Sequence, residues 1–297
     1  MSLRHPTPMI ISALLAVAVC PPAPRAEPPT KQWVTGRGQP TATVVFLHGL
    51  GGSPESVVAH RLGQALGRRG ECMTMVVPWL RPVRMNAKGE PVATGPHTMT
   101  DQLNRLRAVL EAQPGPVILV GHSFGGKAAL KLAKDPPPNV RCIVALAPSV
   151  SMLHSYWKSM TGERGLPQDA AKITRGLEDR RGQLRRAAAS AGGEQRAQIE
   201  GELEYLDVMR DLVQHNEPES ERGLARPLLV MHGEKDNAVS VHYVRRFAEA
   251  NQGVRLVELP ADHHFEVYSG KGPFYGLDRQ ATKQTMDRIA DELLRFR

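Results

Sequence analysis

A chain of 297 residues, 41% of them hydrophobic and 23% charged, has the make-up of a globular protein with one large α/β domain or two smaller ones. Its formal net charge of +8 suits an anionic surface, but aromatics make up only 5% and no tight basic cluster is interleaved with them, which argues against nucleic acid as a partner. No stretch beyond the first thirty residues is long and apolar enough for a membrane-spanning helix.

Those first thirty residues differ from everything that follows. MSLRHPTPM carries Arg4 and His5 and no acid, IISALLAVAV (10–19) is apolar or small throughout, and CPPAPRAEPPT is rich in proline. A basic start, a short apolar centre and a small-residue region predict a secretory signal peptide over residues 1–26, and so export to the periplasm or beyond. The apolar centre is too short to span a bilayer. Val19 is larger than lipoprotein processing accepts before a cysteine, so a lipid anchor through Cys20 is the weaker alternative to cleavage after Ala26. Residues 27–39 read as a linker.

From residue 41 the pattern alternates between β-branched runs and helical spacing. TATVVFLHG (41–49) predicts a buried strand, SPESVVAHRLGQALGRRG (53–70) a helix closed by Gly70, and CMTMVVPWL (72–80) the next strand. Residues 81–98, rich in proline and glycine, read as a loop lining a pocket entrance. TDQLNRLRAVLEAQ (100–113) is a helix with Leu103, Leu106 and Leu110 on one stripe, stopped by Pro114-Gly115-Pro116. PVILVGHS is a strand, GGKAALKLAKD a helix, and VRCIVALAP (140–148) a strand again.

After Pro148 the composition shifts to many charges and few β-branched runs. Two helical patterns, about 168–190 and 194–215, are separated by Ala191-Gly192-Gly193 and predict a helical hairpin. The first is basic (Lys172, Arg175, Arg180, Arg181, Arg185, Arg186) and the second acidic (Glu200, Glu202, Glu204, Asp207, Asp211). Those charges either pair across the hairpin or form two solvated faces. RPLLVMHGEKD (226–236), a helix near 240–250, VRLVELP (254–260) and a helix near 280–296 complete the chain. Such alternation builds a mostly parallel sheet with helices on both faces. The expected core is therefore 40–149 with 226–297, and 150–225 is an insertion. Cys72 and Cys142 each open a strand, and two other strands are expected between them, beyond disulfide reach.

The chemistry centres on VGHSFGG (120–126), a Gly-x-Ser-x-Gly directly after a strand and directly before a helix. That is the context in which a strained turn holds a serine hydroxyl above the sheet edge, with the helix N-terminus supplying a positive field. Ser123 is the candidate nucleophile; an idle serine in a glycine-rich turn is the alternative. A serine needs a base and an acid to orient it. Asp236 follows a strand in HGEKD, with Glu234 in reserve, and His263 and His264 compete for the base after the last strand.

These segments, in the order Ser, Asp, His, resemble the α/β-hydrolase family and its serine esterase and lipase-like branch. FLHGLGG (46–52) is similar to the family's His-Gly loop, and Ala261-Asp262-His263-His264-Phe265 is similar to the segment that carries its base. The resemblance implies the α/β-hydrolase fold, with a helical cap inserted after the family's sixth strand. It also implies Ser123, Asp236 and His263 as the triad, and the backbone N–H groups of Leu50 and Phe124 as the oxyanion hole. His48 would stabilise the loop rather than react. The reaction implied is hydrolysis of a small carboxylic ester through an acyl-enzyme; acyl transfer, thioester or amide cleavage with the same triad is the alternative. A serine at the elbow disfavours the aspartate-nucleophile chemistry of dehalogenases and epoxide hydrolases. No cofactor and no metal are required. The insertion would act as a lid, which could open at a lipid interface, or as a packing or partner-binding appendage.

Overall fold

The computed structural model describes residues 30–50, 52–79, 83–85, 91–93, 98–150, 153, 157, 170–215, 224–270 and 276–297. The β-branched runs become the strands of one sheet: β2 (Thr43–Leu47), β3 (Thr74–Pro78), β6 (Val117–His122), β7 (Val140–Leu146), β8 (Leu228–Gly233) and β9 (Val254–Leu259). β1 (Thr30–Val34) pairs antiparallel with β3 at one edge; every other pairing in the sheet is parallel. The order is β1-β3-β2-β6-β7-β8-β9. Two small antiparallel pairs, β4 (Val83–Met85) with β5 (Pro91–Ala93) and β10 (Tyr268–Ser269) with β11 (Gly276–Leu277), stand apart from it.

Side chains alternate across each strand, so one run serves two cores. In β2, Val44 and Phe46 face α1 (Val57–Arg68) and α7 (Arg279–Phe296), where they join Leu62, Ile289 and Leu293. Val45 and Leu47 face α2 (Met99–Glu111), α3 (Phe124–Leu132) and α6 (Val241–Glu249), beside Leu106, Ala129 and Phe247. Continuous apolar runs are what a sheet buried on both faces demands. The chain runs outward from β2 to β3 and returns to β6 on the other side, so a crevice opens above the carboxyl ends of β2 and β6.

α4 (Ala170–Ser190) and α5 (Gly193–Gln214) form the hairpin, between β7 and β8. Its charges pair: Arg180 with Glu202 at 2.8 Å, Arg181 with Asp207 at 3.2 Å, and Arg210 with Glu178 at 3.1 Å. At partly exposed positions each pair contributes ~0–1 kcal/mol. Burial of Ile173, Leu177, Leu184, Ile199, Leu206, Met209 and Leu212 in the core shared with α2 and α3 holds the hairpin more firmly.

Residues 30–34, read from sequence as part of a linker, form an edge strand. Exposed and half-buried residues alternate along TKQWV, and Trp33 stacks on His60 of α1 with ring centres 4.6 Å apart. Residues 83–85 and 91–93, read as loop, are strands β4 and β5. The signal peptide expected over 1–26 and most of the expected pocket-entrance loop lie outside the described residues. Cys72 and Cys142 are free and buried, and β2 and β6 lie between β3 and β7. Burial pushes the Cys142 thiol up to about 12. Among the described residues, no helix is long and apolar enough to cross a membrane.

Candidate active site

Ser123 ends β6 and begins α3 with φ 55° and ψ −115°, a left-handed conformation that costs an L-residue on the order of 1–3 kcal/mol. Three backbone bonds impose it: Ser123 N–H donates to the Leu146 carbonyl at 2.9 Å, and its own carbonyl accepts from Lys127 and Ser149 N–H at 3.1 and 3.0 Å. The flanking glycines permit it. A Cβ on Gly121 would run into the carbonyl of Gly125, and one on Gly125 would lie 2.5 Å from the carbonyl oxygen of Leu47. A serine at a helix N-cap ordinarily spends its hydroxyl on a backbone N–H, but Ser123 makes no such bond. The hydroxyl is left for other work.

Asp236 lies just beyond β8 with its carboxylate fully buried. Oδ1 accepts the N–H groups of Ala238 and Val239, both at 2.8 Å, and Oδ2 accepts Nδ1–H of His263 at 2.7 Å. Burial by itself would raise its pKa, yet the bonds from His263 and Val239 and the nearby histidine rings hold the carboxyl below its usual value. It therefore stays ionised and fixes His263 with Nε2 free of the carboxylate. His264 is exposed; its backbone N–H donates to Asp262 at 2.9 Å, and its ring lies beside those of His122 and His263 rather than on a carboxylate. Glu234, the reserve acid, is also exposed. The fold thus joins Asp236 to His263 and to neither rival.

Two further histidines brace this pair. His122 Nε2 lies 2.9 Å from the carbonyl oxygen of His263; a carbonyl only accepts, so the ring donates there. His122 is buried beside the His263 ring, with centroids 5.0 Å apart. Burial, and then the charge His263 would carry, lower its pKa to about 3, so it stays neutral. His232, fully buried, donates Nε2–H to Val239 at 3.0 Å and stands 3.5 Å from Asp236 Oδ2. Burial lowers its pKa as well, against the pull of Asp236.

The loop after β2 closes over the serine. A Cβ on Gly49 would lie 3.3 Å from Ser123 Cβ and 3.7 Å from its Oγ. Leu50 follows that contact, half-buried against the core, and Phe124 opens α3 with its side chain fully buried. His48 is buried, and its Nδ1 lies 2.9 Å from the carbonyl of Gly49, a loop-holding contact. The Ser123 hydroxyl meets the buried Ser149 hydroxyl at 3.2 Å, and among the described residues no hydrogen bond joins Ser123 to His263. Hydrogen bonds between a nucleophile and its base are often long and tighten only around substrate. Ser149, His122 and His232 carried no role in the sequence reading. The histidines stand in the quoted segments GHS and HGEKD, but nothing in the sequence marks Ser149.

The model of the "Alpha/beta hydrolase family" matches residues 44–270. Two sequence relatives are "Lipase LipV" of Mycobacterium tuberculosis, 33% identical over 112 residues, and "sn-1-specific diacylglycerol lipase ABHD11" of Danio rerio, 32% identical over 147 residues. The matches cover 37% and 47% of this chain, and 39% and 43% of those proteins, so the chain spans about two fifths of their length. Among solved structures, alpha/beta hydrolase domain-containing protein 10 from mouse superposes with a TM-score of 0.58 at 16% identity, over 90% of this chain and 94% of that one. A monoacylglycerol lipase of Paleococcus ferrophilus gives 0.55 at 17%, over 91% and 100%. At such identities these structures speak for the fold alone.

Proposed function

Because the chain belongs to the alpha/beta hydrolase family, we propose that it is an exported serine hydrolase that cleaves carboxylic esters through an acyl-enzyme. The observation that carries this reading is the buried Asp236–His263 pair, 2.7 Å apart, at the same end of the sheet as a serine on a strained elbow. Ser123 Oγ attacks the ester carbonyl while His263 Nε2 takes its proton. The tetrahedral oxyanion accepts the N–H groups of Leu50 and Phe124. The proton then passes from His263 to the departing alcohol, leaving Ser123 acylated. A water attacks the acyl carbon, gives one proton to His263, and the acid leaves as that proton returns to Ser123 Oγ. Asp236 keeps its charge throughout and stabilises the imidazolium. Two fixed N–H donors of this kind contribute ~2.7–4 kcal/mol each to the transition state. The two sequence relatives are lipases by name, which supports esters with apolar acyl chains as substrates.

The test is hydrolysis of p-nitrophenyl esters of graded acyl length by the chain from Glu27 and by its Ser123→Ala variant, alongside fluorophosphonate labelling. Hydrolysis abolished in the variant, with an optimum chain length in the parent, is the expected result. Equal hydrolysis by both would remove Ser123 from the reaction. Product formed mainly on an added alcohol or amine, in water, would make the enzyme an acyltransferase.

A further inference from the structure

We propose that Ser149 is a further catalytic residue, whose hydroxyl hydrogen-bonds the attacking oxygen of Ser123 and stabilises the negative charge that gathers there. The proposal rests on the reading of Ser123 as the nucleophile.

Ser149 is 3% exposed, and its Oγ lies 3.2 Å from Ser123 Oγ. Its backbone is tied to the same residue, Ser149 N–H donating to the Ser123 carbonyl at 3.0 Å, so the two serines are joined through main chain and side chain alike. The turn that delivers it is strained. Ala147, two residues earlier, has φ 43°, where an alanine gains nothing locally, and its N–H is held by the Met231 carbonyl at 2.8 Å. Among the described residues the non-glycine positions with positive φ are Ser123, Ala147 and Phe265. One is the elbow, one lies two residues past His263, and one lies two residues before Ser149. Strain of this kind persists where the surroundings over-determine a geometry, and it clusters at working sites. The turn after β7 belongs with the other two.

The chemistry follows from what each hydroxyl has left to give. Once Ser123 commits its proton to His263, its oxygen is only an acceptor, so Ser149 must be the donor. As the proton leaves for His263 Nε2, charge on Oγ rises and the hydrogen bond from Ser149 strengthens, until the forming bond to the acyl carbon passes that charge to the carbonyl oxygen. In the second half the acyl–Oγ bond breaks, Oγ is the leaving atom, and the same donor stabilises it until His263 returns a proton. Ser149 itself neither gains nor loses a proton.

The experiment compares the rate of fluorophosphonate labelling at Ser123, and kcat and KM for a p-nitrophenyl ester, in wild type, Ser149→Ala and Ser149→Thr, with Tm measured for each. Loss of one donor to a charged oxygen is expected to slow labelling and kcat in Ser149→Ala by about tenfold to a hundredfold, with KM unchanged. Ser149→Thr, which keeps the hydroxyl, should recover most of the rate. Ser149→Cys, similar in size but a weak donor, carries the same expectation of slow labelling should alanine unfold the turn. Labelling of Ser149→Ala or Ser149→Cys at the wild-type rate or faster overturns the proposal, as does equal slowing in the alanine and threonine variants. A wild type that takes no label at Ser123 overturns the nucleophile reading, and the role of Ser149 with it; a labelled wild type with unaffected variants overturns the role of Ser149 alone.

Discussion

Ser123 sits at φ 55° and ψ −115° because the strand must turn into α3 within one residue, and the flanking glycines leave the backbone room to do so. Only glycine adopts such a conformation without strain. Ser123→Gly is therefore expected to remove the proposed nucleophile and raise stability, by on the order of 1 kcal/mol relative to Ser123→Ala. Thermal melts of the two variants check it; equal midpoints would mean that the strain is absorbed elsewhere. The Asp236 carboxylate shows the same logic in electrostatic form. Burial opposes its charge, and two backbone N–H groups with His263 restore it.

At the scale of elements, the hairpin meets the core through Asp211. This α5 residue turns its carboxylate onto the first turn of α2, Oδ2 accepting Met99 N–H at 2.7 Å and Thr100 N–H at 3.1 Å, while Oδ1 accepts the Thr100 hydroxyl. A helix N-terminus has free N–H groups and a partial positive charge, so an anion there satisfies both. The sequence groups Asp211 only with the acidic face of its helix; which N–H groups it would meet depends on how it packs against residues that stand 111 and 112 positions earlier in the chain. Asp211→Ala is expected to cost about 1–2 kcal/mol and to loosen α5 before the sheet. Urea unfolding and hydrogen exchange would show this; unchanged protection of α5 would mean that Ile199, Leu206, Met209 and Leu212 alone hold the hairpin.

For the whole molecule, the buried histidines set the response to acid. His122 is held neutral down to about 3, and burial lowers His232 too. Unfolding releases both to ordinary histidine behaviour, so below about pH 6.5 the unfolded chain binds protons that the folded chain refuses. Stability should therefore fall as pH drops from about 6.5 toward 3, by on the order of 1 kcal/mol per pH unit for His122 alone. Asp236, Asp287 and Asp291, all held below their usual values, add to the loss only at lower pH, as they take up protons on unfolding. Melting temperatures at pH 7.5, 6 and 5 for wild type and His122→Asn would test this. The variant should lose less on acidification, and equal slopes would remove His122 as the cause.

The sequence by itself determined the alternation of buried strands and helices, the sheet class, the hairpin between β7 and β8, and an elbow at Gly121-His122-Ser123-Phe124-Gly125. Each of these rests on continuous apolar runs, on the helical period of 3.6 residues, or on glycine where backbones touch, and neighbours along the chain carry that information. Only the tertiary structure decided the partners. It joined Asp236 to His263, turned Glu234 and His264 to solvent, added β1 to an edge, and set the Ser149 hydroxyl beside that of Ser123. Adjacent residues on a loop look alike in sequence but point apart. Which one meets a partner 27 or more residues away is fixed by the packing of whole strands, because a hydrogen bond tolerates only a few tenths of an ångström.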